Sequence, residues 1–306
     1  MESSLFSVLA AALLSAVTPR VDVHEEIRQL EWRAEQGDPW AQSEIGYRYH
    51  VGEGVTQNAA KAVEWYRKAA EQDYEWAQYV LGSCYYYGDG VEKDWGKAFE
   101  WYRKAAEQGY APAQAVLGYC YLEGHGVEKD LAKGFEWKKR SAAQGYAPAQ
   151  TSLGYCYMEG RGVEKDLVKA FEWTKKSAEQ GYALGQKNLG DFYEKGNGVE
   201  KDLVKAFEWY RKAEEQGSPS AYLSLGDCHL RGEGVEKDAV KAVEYFRQAA
   251  VLGVDEAMFF LGECYLKGEG VEKDVAKAAE WFTKAAEQGH EKARDALKQI
   301  QQEQQE

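Results

Sequence analysis

Ala113, Leu117, Cys120, Tyr121 and Gly124 carry small or apolar side chains at intervals of four, three, one and three residues. That spacing puts them on one face of an α-helix. Gly124-His125-Gly126-Val127 then interrupts the pattern, because a tight reversal uses backbone angles that glycine adopts at little cost. Asp130 follows, suited to accept from the free N–H groups at the start of a second helix. A stripe of alanine and aromatic residues comes next, including Trp137, and Gly145 closes the helix at C′. The segment therefore predicts two antiparallel helices, neither of which can bury its apolar face alone.

The same pattern recurs every 36 residues. Seven copies begin at Ala41, Ala77, Ala113, Ala149, Gly185, Ala221 and Ala257, without insertion or deletion, and the last ends at Lys292. Ile27 to Trp40 matches the second half of a copy, and Ala293 to Ile300 the opening of another. Such half copies cover the terminal faces of a stacked array. The expected fold is all-α: seven 36-residue helix-turn-helix repeats with half-repeat caps, stacked into one solenoid over residues 27–300. Trp65, Trp101, Trp137, Trp173, Trp209 and Trp281 share one repeat position. Alternating with alanines, they are expected to fill the core.

Outside the array, residues 1–26 form a leader. Its apolar run Leu5 to Val17 is 13 residues long, too short to span a bilayer and as long as a signal-peptide core. No basic residue precedes it and no A-x-A site follows. A cleaved leader and an N-terminal helix over the first half copy both stay open. Residues 301–306 are expected to be a disordered tail.

Composition narrows the function. With 51 acidic against 38 basic residues the net charge is −13, which disfavours nucleic acid and is compatible with basic partners. Cys84, Cys120, Cys156, Cys228 and Cys264 occupy one repeat position. Equivalent residues of stacked repeats are too far apart to bridge, so they read as buried free thiols, and a reducing, cytoplasmic setting is expected. A secreted or periplasmic setting follows instead if residues 1–20 act as a signal peptide. No CxxC occurs and the five histidines are scattered, which argues against a metal site. The loops lack the third glycine and preceding strand of a dinucleotide site, and no Walker or HExxH pattern appears. Val-Glu-Lys-Asp stands in six loops and reads as turn polarity plus a helix cap. No enzyme activity and no cofactor are expected.

Leu81, Gly82, Tyr85, Gly88, Gly90, Val91, Asp94, Lys97, Ala98, Trp101, Ala105, Ala106 and Gly109 make the second copy resemble the Sel-one-like repeat, a relative of the tetratricopeptide repeat. The resemblance spans roughly Ile27 to Ile300. It implies a right-handed α-α superhelix and a non-catalytic adaptor that assembles other proteins. One branch of the family, the Helicobacter cysteine-rich proteins, has two bridged cysteines per repeat and is linked to β-lactam binding. It supplies the alternative, a small-molecule binder or hydrolase. This chain has at most one cysteine per repeat and departs from that branch.

In related solenoids the first helices line the concave surface. Counting from the first residue of each copy, positions 3, 7 and 10 form a second stripe on that helix, opposite the core positions. The stripe varies where the core does not. It holds Tyr47, Tyr119 and Tyr155 at position 7, Tyr79 at position 3 and Tyr86 at position 10, and then Asp191, Asp227 and Glu263 at position 7. These eight residues are the expected partner-binding set, the tyrosines for apolar or aromatic groups and the acids for basic ones. Lys195, Arg231 and Lys267 lie four residues beyond the three acids and are expected to pair with them. The protein is expected to be a monomer with no membrane span.

Overall fold

The computed structural model describes residues 23–303. Among the described residues the chain is helical throughout, with sixteen helices and no strand, and forms an all-α solenoid of helix pairs. No helix is long and apolar enough to cross a membrane. The apolar run of the leader lies outside the described residues.

Two compact units divide the chain at Lys129 and Asp130. The first holds α1 (Val23–Glu35), α2 (Pro39–Val51), α3 (Ala59–Ala70), α4 (Glu75–Tyr87), α5 (Trp95–Glu107) and α6 (Ala111–Glu123). The second holds α7 (Leu131–Ala143), α8 (Ala147–Glu159), α9 (Leu167–Glu179), α10 (Ala183–Lys195), α11 (Leu203–Glu214), α12 (Pro219–Arg231), α13 (Ala239–Val251), α14 (Asp255–Lys267), α15 (Val275–Glu287) and α16 (Glu291–Glu303). Helix α1 serves as the half-copy cap of the first unit. Helix α16 caps the second and runs through Glu303, into the segment expected to be a disordered tail beyond residue 300, with its own Ile300 buried.

The turns follow the polar pattern. Asp94 Oδ1 accepts from Lys97 N at 3.0 Å, and Asp130, Asp166, Asp202, Asp238 and Asp274 do the same at the helices they open. Asn58 takes that role in the first copy. The two loop glycines do different work. Gly160 is the left-handed C-cap of α8, at φ 71°. Gly162, at φ 75°, lies so close to the start of α7 that an added Cβ would stand 2.0 Å from the Leu131 carbonyl oxygen. That second glycine is the point where consecutive copies touch.

A half-buried amide ladder also joins the copies. Gln150 Nε2 donates to the Ala142 carbonyl at the end of α7, while its Oε1 accepts from Gln180 Nε2 at 2.7 Å. Gln42, Gln78 and Gln186 repeat the arrangement. In the last two copies Tyr222 and Met258 take the glutamine's place.

The tryptophans correct the sequence reading. Of the six, only Trp65 is buried; Trp101, Trp137, Trp173, Trp209 and Trp281 are half-buried at the core's edge, where Trp281 packs against the core of the last copies. The inward position is the next residue, about 100° further round the helix, where Tyr66, Tyr102, Tyr210, Phe246 and Phe282 are fully buried. Each tryptophan instead carries a cation three residues on, as with Lys104 Nζ 4.1 Å from the Trp101 ring and Lys212 Nζ 3.7 Å from Trp209. All five cysteines are free and buried. Burial pushes the Cys84 and Cys228 thiols up to about 12, so they act as small hydrophobes rather than nucleophiles.

Candidate functional site

The first helices of the copies carry the eight candidate side chains, three of them exposed and five half-buried. Tyr47, Tyr119 and Tyr155 are 42%, 41% and 49% exposed. Their neighbours Cys120 and Cys156 are 1% exposed, so a single step along the helix separates the solvent face from the core. Tyr79, Tyr86, Asp191, Asp227 and Glu263 are half-buried.

In the first unit the structure brings Tyr86 and Tyr119 together around a histidine that the sequence reading passed over. Gly126 packs against the Trp95 carbonyl as Gly162 does against Leu131. This contact lays the preceding residue, His125, flat on the Trp95 indole at 4.2 Å and 18°. The Tyr86 hydroxyl lies 2.8 Å from His125 Nδ1, and the Tyr119 ring meets the imidazole edge-on at 5.4 Å. Tyr87, 75% exposed, stands against Tyr86 at 4.9 Å. Burial, and then the neighbouring Tyr119, push the Tyr86 phenol up to about 12. The result is a rigid aromatic plate open to solvent, built from α4, α5, α6 and one loop. Tyr79 lies apart from it, against Tyr102 and Tyr110 at 5.8 and 5.5 Å, and Tyr47 stands separately on α2.

In the second unit Tyr155 and Asp191 line one cleft of about 220 Å³, together with Thr151, Met158, Thr174 and Asn188. Asp191 accepts from the Tyr210 hydroxyl at 2.8 Å and from Lys187 Nζ at 2.7 Å. Its salt bridge thus runs to the preceding turn, not to Lys195 as expected. Helical side chains lean toward the N-terminus, which brings Lys187 within reach. Asp227 and Glu263 do pair forward, with Arg231 at 2.9 Å and Lys267 at 3.0 Å.

Asp227 also approaches Glu194 and Glu233, the three offering carboxylate oxygens within 4.8 Å of one another. Desolvation raises the Asp227 and Glu194 carboxyls above their usual range. The nearby carboxylates Asp191 and Asp227 add to the shift of Glu194. Glu194 sits at position 10, a stripe position, so the repeat count alone could have found it. His125 and Trp95 sit outside the stripe, and only the loop-to-helix approach brings them to the site.

Among known proteins, the Sel1 repeat matches residues 41–74, 77–110, 111–146, 147–182, 183–218, 219–254 and 255–290. The chain is similar to a protective antigen of uropathogenic Escherichia coli strains with an SLR fold, at 41% identity and a TM-score of 0.74, covering 89% of this chain and 58% of that one. It is also similar to a Sel1 repeat protein from Oxalobacter formigenes, at 34% identity and a TM-score of 0.70, covering 90% of this chain and 80% of that one. A curated relative, the secretory immunoglobulin A-binding protein EsiB of Escherichia coli O6:H1, is 39% identical over 69 residues, 22% of this chain and 14% of its own length.

Proposed function

Because the chain belongs to the Sel1 repeat family, whose members typically serve as protein-interaction scaffolds, we propose that it is a non-catalytic adaptor that holds a partner polypeptide on the outward face of its first helices. The carrying observation is the exposure of Tyr119 and Tyr155 beside fully buried Cys120 and Cys156. Tyrosine on a rigid helix offers a large amphipathic contact that loses little entropy on binding. The plate around His125 adds a stacked, already ordered surface in the first unit. In the second, Asp191, Glu194, Asp227 and Glu263 form an acidic row, and a lysine or arginine of the bound polypeptide exchanges there with Lys187, Arg231 or Lys267.

The Tyr119→Ala, Tyr155→Ala double variant tests this reading. Secretory immunoglobulin A, named for the E. coli relative, is the first partner to assay, by biolayer interferometry beside partners found by affinity capture. The expected result is unchanged helicity with affinity lower by about tenfold or more. A well-folded double variant that binds as tightly as the unsubstituted protein would remove this face from the interaction.

A further inference from the structure

The cleft beside Tyr155 is a gap in an otherwise repeated core. One helical step past the tryptophan position, five copies bury an aromatic ring; the other two carry Lys138 and Thr174. In the second unit the surroundings of that ring are fixed by three complete examples. Phe282 meets Phe259 at 5.5 Å, Phe246 stacks on Phe260 at 5.2 Å and 16°, and the Tyr210 hydroxyl donates to Asp191 at 2.8 Å. A glycine lies flat against each ring: a Cβ on Gly190, Gly226 or Gly262 would come within 2.4 to 2.5 Å of it.

Around Thr174 the equivalents of Phe259, Phe260 and Asp191 are Thr151, Asn188 and Tyr155, with Gly154 in the glycine's place. Thr151, Asn188 and Tyr155 line the cleft, and Thr174 lines it too. The empty volume is therefore the space that a ring at residue 174 would fill. At about 220 Å³ it exceeds the roughly 150 Å³ cavity that admits benzene in another protein. Tyr155 and Lys195, both exposed, open it to solvent on the partner-binding face. The side-chain amides of Asn188 and Asn197 also line it and make no hydrogen bond among the described residues.

We infer that this cleft binds the aromatic side chain of a phenylalanine or tyrosine from the bound polypeptide, which completes from outside the ring row that Thr174 interrupts. The inference rests on the adaptor reading for its occupant, but the cleft can be tested without any partner. The probes are N-acetyltyrosinamide and N-acetylleucinamide, titrated into the full chain and followed by amide NMR shifts. The tyrosine probe is expected to move Thr151, Thr174 and Asn188, with the leucine probe weaker by about tenfold. Thr174→Tyr, which puts a ring at the repeat position that Tyr210 holds one copy on, is expected to abolish the shifts.

Absence of shifts at those residues, equal response to both probes, or a folded Thr174→Tyr variant that still binds would each overturn the inference. Should that variant not fold, the location of the shifts and the tyrosine-to-leucine contrast in the unsubstituted chain decide alone. If the probes fail while Tyr119, which lies outside the cleft, still controls partner affinity, only the cleft assignment falls. If the probes bind while Tyr119 proves irrelevant, the adaptor face falls and the cleft stands as a site for an aromatic side chain.

Discussion

The two units share one plan and differ in what they show to solvent. The first gathers Tyr86, Trp95, Tyr119 and His125 into a filled, stacked plate. The second leaves a hollow at Thr174 and draws carboxylates together at Asp227. Most inward residues are held to one type by packing, since a change of even one methylene in a dense core is felt; Lys138 and Thr174 are the exceptions at the ring position. Outward residues are free to diverge, and the units have diverged toward different chemistry. A repeat array thus separates what holds it together from what it offers a partner.

The largest effect is expected where the plan is common to both units. Gly126→Ala and Gly162→Ala each put a Cβ at positive φ and 2.0 Å from a carbonyl oxygen of the preceding copy. Each is expected to cost about 3 kcal/mol in urea unfolding, from left-handed strain plus a contact that must open. Equal losses would show that the units share their joint; a loss at only one would break the comparison at its foundation.

Next comes the amide ladder. Gln150→Leu removes a buried side chain that both donates to Ala142 and accepts from Gln180. About 1 to 1.5 kcal/mol should be lost, because two hydrogen bonds go while the Ala142 carbonyl keeps its bond from Gly145 N and the exposed Gln180 turns to water. Tyr222→Phe in the sixth copy, where no such ladder exists, should move the urea midpoint far less.

Much of this was legible in the chain. The helices, caps and paired loop glycines follow from a period that copies each local signal seven times. What could not be read came from angular detail and from contacts between copies. The tryptophan and its successor differ by one residue, and a sequence stripe cannot say which of two adjacent aromatics points inward; tryptophan's size suggested the wrong one. Gln150 is polar, so nothing in a hydrophobic pattern marked it as buried. The eight candidate residues were found because they vary at fixed positions. His125 was missed because its place over Trp95 depends on how closely Gly126 approaches the neighbouring copy. Thr174 was readable as an exception in an aromatic column, but only once that column was known to be the core.

Trp95→Ala tests the plate. Trp95 is partly exposed and stacks on His125, so its removal should cost only about 1 kcal/mol. It should also free the His125 ring, seen as sharpened exchange in its NMR signals. Unaltered His125 signals would mean that the loop, not the stack, orders the imidazole.

The smallest effect concerns the acidic cluster and has a definite sign. Asp227 and Glu194 have carboxyls raised in the folded protein by desolvation and by neighbouring carboxylates, with Arg231 opposing the shift at Asp227. A raised carboxyl binds protons more readily folded than unfolded, so its cost to stability is full above the folded value and is relieved as pH falls through it. The capping aspartates act oppositely. Backbone N–H groups hold Asp130 and Asp166 below their usual range, and their contribution is lost only at lower pH, as they are protonated. His229, lowered by burial and then by Lys241, also loses stability on acidification. The cluster is therefore isolated by difference. The Asp227→Asn, Glu194→Gln variant should gain on the unsubstituted protein at pH 7.5, with the gain shrinking as pH falls toward 4.5 in thermal melts. A difference that grows on acidification would mean that the Arg231 ion pair, not carboxylate repulsion, governs this corner of the second unit, and the contrast with the aromatic plate of the first would lose its electrostatic half.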